Sequence, residues 1–319
     1  MSFYNFLELV EIRTKLASVI PFSLGTLYAV YHFKSFDAKN FILLLVSLLA
    51  FDMVTTGLNN YFDYKRAIRK HGYNYETHNV IVRKNIPEAT VITILVLLLA
   101  VAVLFGILLF FNTNIILLAI GMLSFAVGIS YSFGPVPISR TPLGEMLSGL
   151  FMGFVILFLS VYVHIFDQKV LALAFRDPLL LVSINPAEIL WIFLFSLPVV
   201  AGIANIMLAN NICDMEGDLE DRRYTLPIYI GKDRALMVYR GLYGLALLDI
   251  ILLAAIRLIP LICIASLAVF LQVNANVRLF DKKQTKKETF ALAVKNFLLI
   301  GGSLVLLMGV QLVLNYFLS

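Results

Sequence analysis

The stretch Leu208-Ala209-Asn210-Asn211-Ile212-Cys213-Asp214-Met215-Glu216-Gly217-Asp218 closes an apolar run that begins near residue 188. A run of that length with so few charges suffices to cross a bilayer as a helix, and Arg222 and Arg223 follow it. An earlier run, near 41–62, closes in the same way with Asn59-Asn60-Tyr61-Phe62-Asp63, then Lys65 and Arg66. The pattern N-N-x-x-D therefore occurs twice, each time at the mouth of a hydrophobic helix. Positions four apart share a helical face, so Asn210, Asp214 and Asp218 form one stripe and Asn59 and Asp63 another. Oxygen donors with cations behind them suit Mg²⁺ and a phosphorylated substrate. Two solvated, acidic helix ends are the plainer alternative.

Working outward, the rest of the chain is of the same character. Of its 319 residues 61% are hydrophobic and 14% charged, with a mean hydropathy of +0.91. Soluble domains have about 45–50% apolar and about 25% charged residues. The chain reads as one polytopic, all-α membrane unit over 1–319, with the lipid bilayer as a partner and no nucleic acid. Nine apolar runs lie near 16–33, 41–62, 88–111, 114–133, 144–165, 188–210, 235–256, 257–277 and 296–317. They predict nine transmembrane helices around a central cavity that opens to the cytoplasmic side. The stretch 167–187, broken by Arg176, Asp177 and Pro178, reads as an interfacial loop or short helix and not as a span. Glu8, Glu11 and Arg13 precede the first run, which therefore does not resemble a cleaved signal peptide. Cys213 and Cys263 provide no disulfide framework.

Loop charge orients the chain. With nine spans, 20 of the 25 Lys and Arg fall on one side, shared by the N-terminus and the loops after runs 2, 4, 6 and 8. Such a bias marks the cytoplasmic face. The expected placement is a multi-pass cell-membrane protein whose N-terminus and motif-bearing loops are cytoplasmic. Both N-N-x-x-D motifs then open toward the same compartment.

Around them lie further candidates. Asp218 is followed by Asp221, Arg222, Arg223, Tyr224 and Thr225; the two arginines either balance a diphosphate or anchor the helix to lipid phosphate. Asp52, mid-span and seven residues before Asn59, either lines a cavity beneath the metal site or is a paired structural carboxylate. The Pro- and Gly-rich segment 131–145 turns on the motif side. From it Arg140 and Glu145 can reach the mouth, while Tyr131 and Phe133 can stack on an aromatic ring or a developing cation, or sit at headgroup level. Lys282, Lys283, Lys286 and Lys287 read as a solvated or lipid-facing cationic face. His71 and His78 are isolated loop histidines without the partners a zinc site requires.

The pieces Asn59-Asn60-Tyr61-Phe62-Asp63-Tyr64-Lys65-Arg66, Ile81-Val82-Arg83, Gly134-Pro135 through Thr141-Pro142-Leu143-Gly144-Glu145, and Leu208-Ala209-Asn210-Asn211-Ile212 through Asp214, Asp218, Arg223, Thr225 and Leu226 carry a family resemblance. The chain resembles the UbiA superfamily of intramembrane aromatic prenyltransferases, and within it most resembles the 1,4-dihydroxy-2-naphthoate polyprenyltransferases of menaquinone biosynthesis. The resemblance implies transfer of a polyprenyl chain from its diphosphate to dihydroxynaphthoate, with loss of carboxylate. It implies Mg²⁺ held by Asn59, Asn60, Asp63, Asp214 and Asp218, with Asp63, Asp214, Asp218, Asn59 and Asn210 as the catalytic set. Lys65, Arg66, Arg83, Arg222 and Arg223 would hold the diphosphate. Arg13, Lys15, Asp52, Tyr131 and Arg140 would face the acceptor, Arg13 or Lys15 through its carboxylate. The sequence departs from the family at Asn60, where an acidic residue is common, and at Ala67 and Arg69; Glu76 offers a substitute carboxylate. Other acceptors in the superfamily are 4-hydroxybenzoate, haem and glycerol phosphate. A cation-coupled transporter using Asp52, Asp63 and Asp214 is the rival of a different class. Inverted repeats with an odd number of spans would open the two motifs to opposite sides, which counts against it.

Overall fold

A backbone group in hydrocarbon must find its hydrogen bond within the chain, so apolar segments of this length become helices. The computed structural model, which describes residues 1–66, 79–168, 170–176 and 179–318, follows that rule. Among these residues nine helical spans are long and apolar enough to cross a membrane: Ile12–Phe33, Ala38–Arg66, Glu88–Asn112, Ile115–Ser132, Gly144–Ile165, Pro186–Cys213, Lys232–Ala255, Leu261–Lys282 and Phe290–Leu318, numbered 1 to 9. Each coincides with one of the nine apolar runs. Spans 2 and 6 run past the C-terminal ends of their runs, because the helix continues into the polar motif.

Burial separates the spans by role. Two-thirds of the apolar window of span 6 is buried inside the protein, against 17% for spans 3 and 4. Span 6 is therefore a hub, and spans 3 and 4 lie at the edge of the bundle. Span 2 packs along spans 3, 4 and 5; span 6 packs along spans 5, 7 and 9; span 1 fits against spans 5 and 9. Tyr28, Phe195, Tyr239, Phe280 and Phe297 are all within 2% of full burial in the shared core. Close helix approach in lipid relies on small residues. A Cβ on Gly25 would lie 2.4 Å from the carbonyl oxygen of Leu157, and one on Gly153 would lie 2.7 Å from Cα of Val200. These contacts draw spans 1, 5 and 6 together.

Among the described residues, the stretch 167–187 contains no helix before span 6 begins at Pro186. Leu171–Arg176 and Leu179–Ile184 form an antiparallel hairpin, with Leu171 opposite Ile184. Its base is tied to the bundle: Tyr162 Oη donates to Leu171 O at 2.8 Å, and Asn114 Nδ2 donates to Tyr162 Oη at 2.8 Å. The expectation that it does not span the membrane stands. On the opposite side, the short N-terminal helix Phe3–Leu9 and the turn Val80–Arg83 enclose a small second core of Leu9, Val80, Ile81, Ile86, Val91 and Leu95. Ala67, Arg69, His71, Glu76 and His78 lie outside the described residues.

Candidate active site

Span 6 ends at Cys213, and the backbone leaves helical geometry at Asp214 (φ −104°, ψ 5°) before a short helix, Met215–Glu220. The stripe nevertheless survives the break: Asp214 N donates to Asn210 O at 3.2 Å and Asp218 N to Asp214 O at 2.8 Å. The short helix then stops in a Schellman turn. Arg222 is left-handed (φ 54°), its N–H donates to Leu219 O at 3.2 Å, and Arg223 N donates to Asp218 O at 2.7 Å. This is the 6→1 and 5→2 pattern that ends helices, here with arginine where glycine is usual. The turn separates two arginines that look equivalent in sequence. Arg222 is exposed, whereas Arg223 is folded back over its own motif with Nε 3.3 Å from Asp218 Oδ1.

Arg223 also reaches the other motif. Its Nη1 lies 4.0 Å from Asp63 Oδ1, so one guanidinium stands between the two N-N-x-x-D ends, as a shared mouth requires. Asn59 is in register with Asp63: its Nδ2 donates to Asp63 Oδ2 at 3.3 Å, and its Oδ1 accepts from Ser132 at 3.1 Å. The span 4–5 loop closes a third side. Tyr224 N donates to Arg140 O at 3.0 Å, Arg140 Nη1 lies 3.4 Å from Asp221 O, and Arg66 Nη2 donates to Gly134 O at 3.1 Å. Thr225 donates to Asp218 Oδ2 at 3.2 Å. Asn211, 2% exposed, donates to Glu145 Oε1 at 2.7 Å and so ties the motif to span 5.

The electrostatics follow from this crowding. Burial, and then Asp214, push Asp218 up to about 6, against the pull of Arg223. Arg140 is held below the ordinary arginine value by burial and then by Arg223. For Arg223 burial opposes the charge, but Asp218 and Asp63 outweigh it and its pKa rises.

Several sequence expectations are corrected. Asn60 does not join the ligand set: adjacent helix positions differ by about 100°, and Asn60 Nδ2 donates to Leu9 O at 3.0 Å and to Glu11 Oε1 at 3.2 Å. Lys65 turns to Glu88 at 2.7 Å, and Arg83 pairs with Glu8 at 3.0 Å, both away from the mouth. Lys15 does not have a free charge for an acceptor. Its ammonium is buried on Asp52 Oδ1 at 2.6 Å and on Thr56 Oγ1 at 2.6 Å, while Ser18 donates to Asp52 Oδ2 at 2.5 Å. Arg13 is exposed at the start of span 1. The most informative correction is Lys286. Read as part of a solvated face, it is instead ion-paired with Asp214. Only the count of spans, which places the 8–9 loop on the motif side, hinted at this.

Beneath the mouth lies an apolar cavity of about 390 Å³ between spans 2, 3, 4 and 5. Asp52 is both expected things at once, paired and on the cavity wall. With Ser18, Thr55, Tyr131 and Ser148 it forms the polar end, and Leu109, Leu117 and Leu118 line the far end. Ser148 donates to Tyr131 Oη at 3.0 Å. Thr55 is one turn from Asn59, and Tyr131 adjoins Ser132, so the polar end meets the first motif.

Among the described residues no three His, Cys, Asp or Glu side chains converge at ligand spacing. Mg²⁺ does not demand that, since it is usually held by one or two carboxylates together with substrate phosphates and water. The donors are all oxygen, and Asp221 Oδ1 is buried without a hydrogen-bond partner. The residues present fit that mode of binding.

The UbiA prenyltransferase family model matches residues 18–308. The chain is 29% identical over 239 residues to 1,4-dihydroxy-2-naphthoate octaprenyltransferase of Bacillus subtilis, an alignment covering 75% of this chain and 70% of that protein. In fold it is similar to a UbiA homologue from Aeropyrum pernix (TM-score 0.68, 18% identity, 91% of this chain and 96% of that one). It is also similar to a UbiA homologue from Archaeoglobus fulgidus bound to DMAPP and Mg²⁺ (TM-score 0.63, 13% identity, 96% and 99%).

Proposed function

The chain belongs to the UbiA prenyltransferase family, and on that premise we propose that it transfers a polyprenyl group from its diphosphate to 1,4-dihydroxy-2-naphthoate. The transporter reading falls with the family assignment. One observation carries the proposal: an apolar cavity in the membrane-spanning part has its polar end, at Thr55 and Tyr131, next to the first motif, beneath a mouth where two acidic helix ends face each other across Arg223. An amphiphile with an anionic head and a long hydrocarbon tail fits that shape. The bacterial naphthoate octaprenyltransferase, at 29% identity, supports the choice of acceptor.

The chemistry follows from the residues. Arg223, with Arg140 and Arg66 beside it, places positive charge around the diphosphate. Preorganised charge aimed at a departing anion is usually the largest catalytic contribution. Asp214 and Asp218 from one helix end and Asp63 from the other, with Asn59 and Asn210 in support, would hold Mg²⁺ between protein and diphosphate, and the ion would supply further positive charge there when bound. The allylic C–O bond breaks with its electron pair going to the diphosphate oxygen. The acceptor ring donates a π pair to form the new C–C bond. The ring then regains aromaticity, in the naphthoate case with its carboxylate leaving as CO₂. The cavity wall excludes the water that would quench the allylic cation, and Tyr131 presents a ring face at its polar end.

The nine spans act as one catalytic unit in the cell membrane, with the mouth and N-terminus cytoplasmic. The excess of Lys and Arg on that side supports this orientation, and labelling of a cysteine at Lys283 by an impermeant reagent only after cell lysis is the expected result. The deciding assay is detergent-purified protein with dihydroxynaphthoate, a polyprenyl diphosphate and Mg²⁺. Prenylated naphthoquinol is expected, detected as the quinone after oxidation by air, and Asp214→Ala should lower turnover by about a hundredfold or more, a loss typical of removing transition-state charge stabilisation. Prenylation of 4-hydroxybenzoate alone would move the acceptor elsewhere in the family.

A further inference from the structure

The four lysines between spans 8 and 9 are not alike. Lys282, Lys283 and Lys287 are exposed, and Lys283 pairs with Glu288 at 2.6 Å where both side chains are 56% exposed. Lys286 is 22% exposed and its Nζ is on Asp214 Oδ2, itself 14% exposed. The backbone beneath it is pinned: Thr289 N donates to Thr285 O at 3.0 Å, Thr285 N to Thr289 Oγ1 at 2.9 Å, and Gln284 Nε2 to Phe280 O at 2.6 Å. The fold thus delivers this one ammonium to the first carboxylate of the second motif from 72 residues away.

Asp214 cannot serve a divalent cation at full strength while an ammonium is on the same oxygen, because the two positive charges repel. When a cation takes Asp214, the ammonium must go elsewhere. Its backbone is held, so it moves by rotation of its own flexible stem. The nearest new anion is the diphosphate that arrives with the cation. Arg223 and Arg140 are less free, since their guanidinium groups also approach the carbonyls of Ser139 and Asp221.

We propose that Lys286 is a diphosphate-binding residue, parked on Asp214 in the free chain and transferred to diphosphate oxygens as Asp214 turns to the metal. This rests on the prenyltransfer reading above. Lys286 then offsets the charge that the diphosphate gains as the C–O bond breaks, and returns to Asp214 when the products leave, so that the carboxylate is never without a counter-charge.

The test is calorimetric, on the full chain in detergent. Mn²⁺ alone and inorganic pyrophosphate with Mg²⁺ are titrated into the wild type, Lys286→Met, Lys286→Arg and the control Lys283→Met. In Lys286→Met, Mn²⁺ should bind as tightly as in the wild type or more tightly. Pyrophosphate should bind about 10- to 100-fold more weakly, the effect of losing one charge-assisted bond. KM for the prenyl diphosphate should rise with it while KM for the acceptor stays unchanged, Lys286→Arg should restore most of the loss, and Lys283→Met should match the wild type. Opposite responses to metal and pyrophosphate are something a loop anchor does not produce. Unchanged pyrophosphate affinity in Lys286→Met, or equal weakening of both ligands, overturns the proposal. A wild type that binds no pyrophosphate with Mg²⁺ overturns the prenyltransfer reading itself.

Discussion

Asp218 is 4% exposed, and burial with Asp214 beside it pushes its pKa up to about 6, above the ordinary carboxylate value. The folded chain therefore holds the Asp218 proton more tightly than the unfolded chain does. A metal must displace that proton, so divalent-cation affinity should be flat above pH 7 and fall by up to about tenfold per pH unit below about 6. The same sign governs stability. The contribution of Asp218 is fully present below the unfolded value and lost as pH rises through about 6, so the metal-free protein should melt higher at pH 5 than at pH 7. A Mn²⁺ affinity that does not change between pH 5 and pH 8 would refute the placement of Asp218 among the ligands. Lys15 and Asp52 make a different case, because both side chains are under a tenth exposed and each neutralises the other. Lys15→Met strands a buried carboxylate and should cost about 3–5 kcal/mol of unfolding free energy. Lys15→Met with Asp52→Leu should recover most of it, as measured by thermal unfolding in detergent. That Asp52 is costly in the membrane was legible from its place in an apolar run. That its partner is Lys15 was not, since the two come from different spans, 37 residues apart.

At the scale of elements, the nine helices follow from length and apolarity alone, because hydrocarbon leaves an apolar segment no other way to satisfy its backbone. The hairpin does not follow from such a rule. Leu171-Ala172-Leu173-Ala174-Phe175 is apolar without a helical or strand period, and only pairing with Leu179–Ile184 makes it a strand. The break at Asp214 and the turn at Arg222 are equally hidden, since neither position carries the Gly or Pro that usually marks them. How closely two spans approach is also invisible in one apolar run. Gly153 reads as an ordinary small residue, yet its missing side chain is what lets span 5 rest on the backbone of Val200. Gly153→Leu should force spans 5 and 6 apart and cost about 1–3 kcal/mol, as overpacking does, visible as a lower melting temperature. Gly121→Ala should be close to silent in the same measurement, since a Cβ there meets nothing within 4 Å.

At the scale of the molecule, the mouth is assembled from the ends of spans 2 and 6 and the loops after spans 4 and 8, and the cavity lies almost wholly within spans 2 to 5. From Tyr131 to Leu117 span 4 covers about 21 Å at 1.5 Å per residue, so on the proposed reading a prenyl tail longer than that continues into the bilayer. Gly121 lines this cavity in open space. Gly121→Phe should lower turnover of a polyprenyl diphosphate at least about tenfold, the scale expected when one large apolar contact is blocked, and leave dimethylallyl diphosphate nearly unaffected; equal loss with both would mean that the tail lies elsewhere. The amino-acid sequence by itself determined the membrane class, the nine spans, the two acidic motifs on one face of the bundle and Arg223 among the candidates. These depend on apolarity, helical period and the parity of crossings, which are local or additive along a chain. Tertiary structure alone decided that Asn60, Lys65 and Arg83 turn away, that Lys15 is spent on Asp52, and that Lys286 reaches Asp214. An ionised side chain goes to whichever counter-charge the packing of distant spans brings within reach, and no spacing along the sequence encodes that distance.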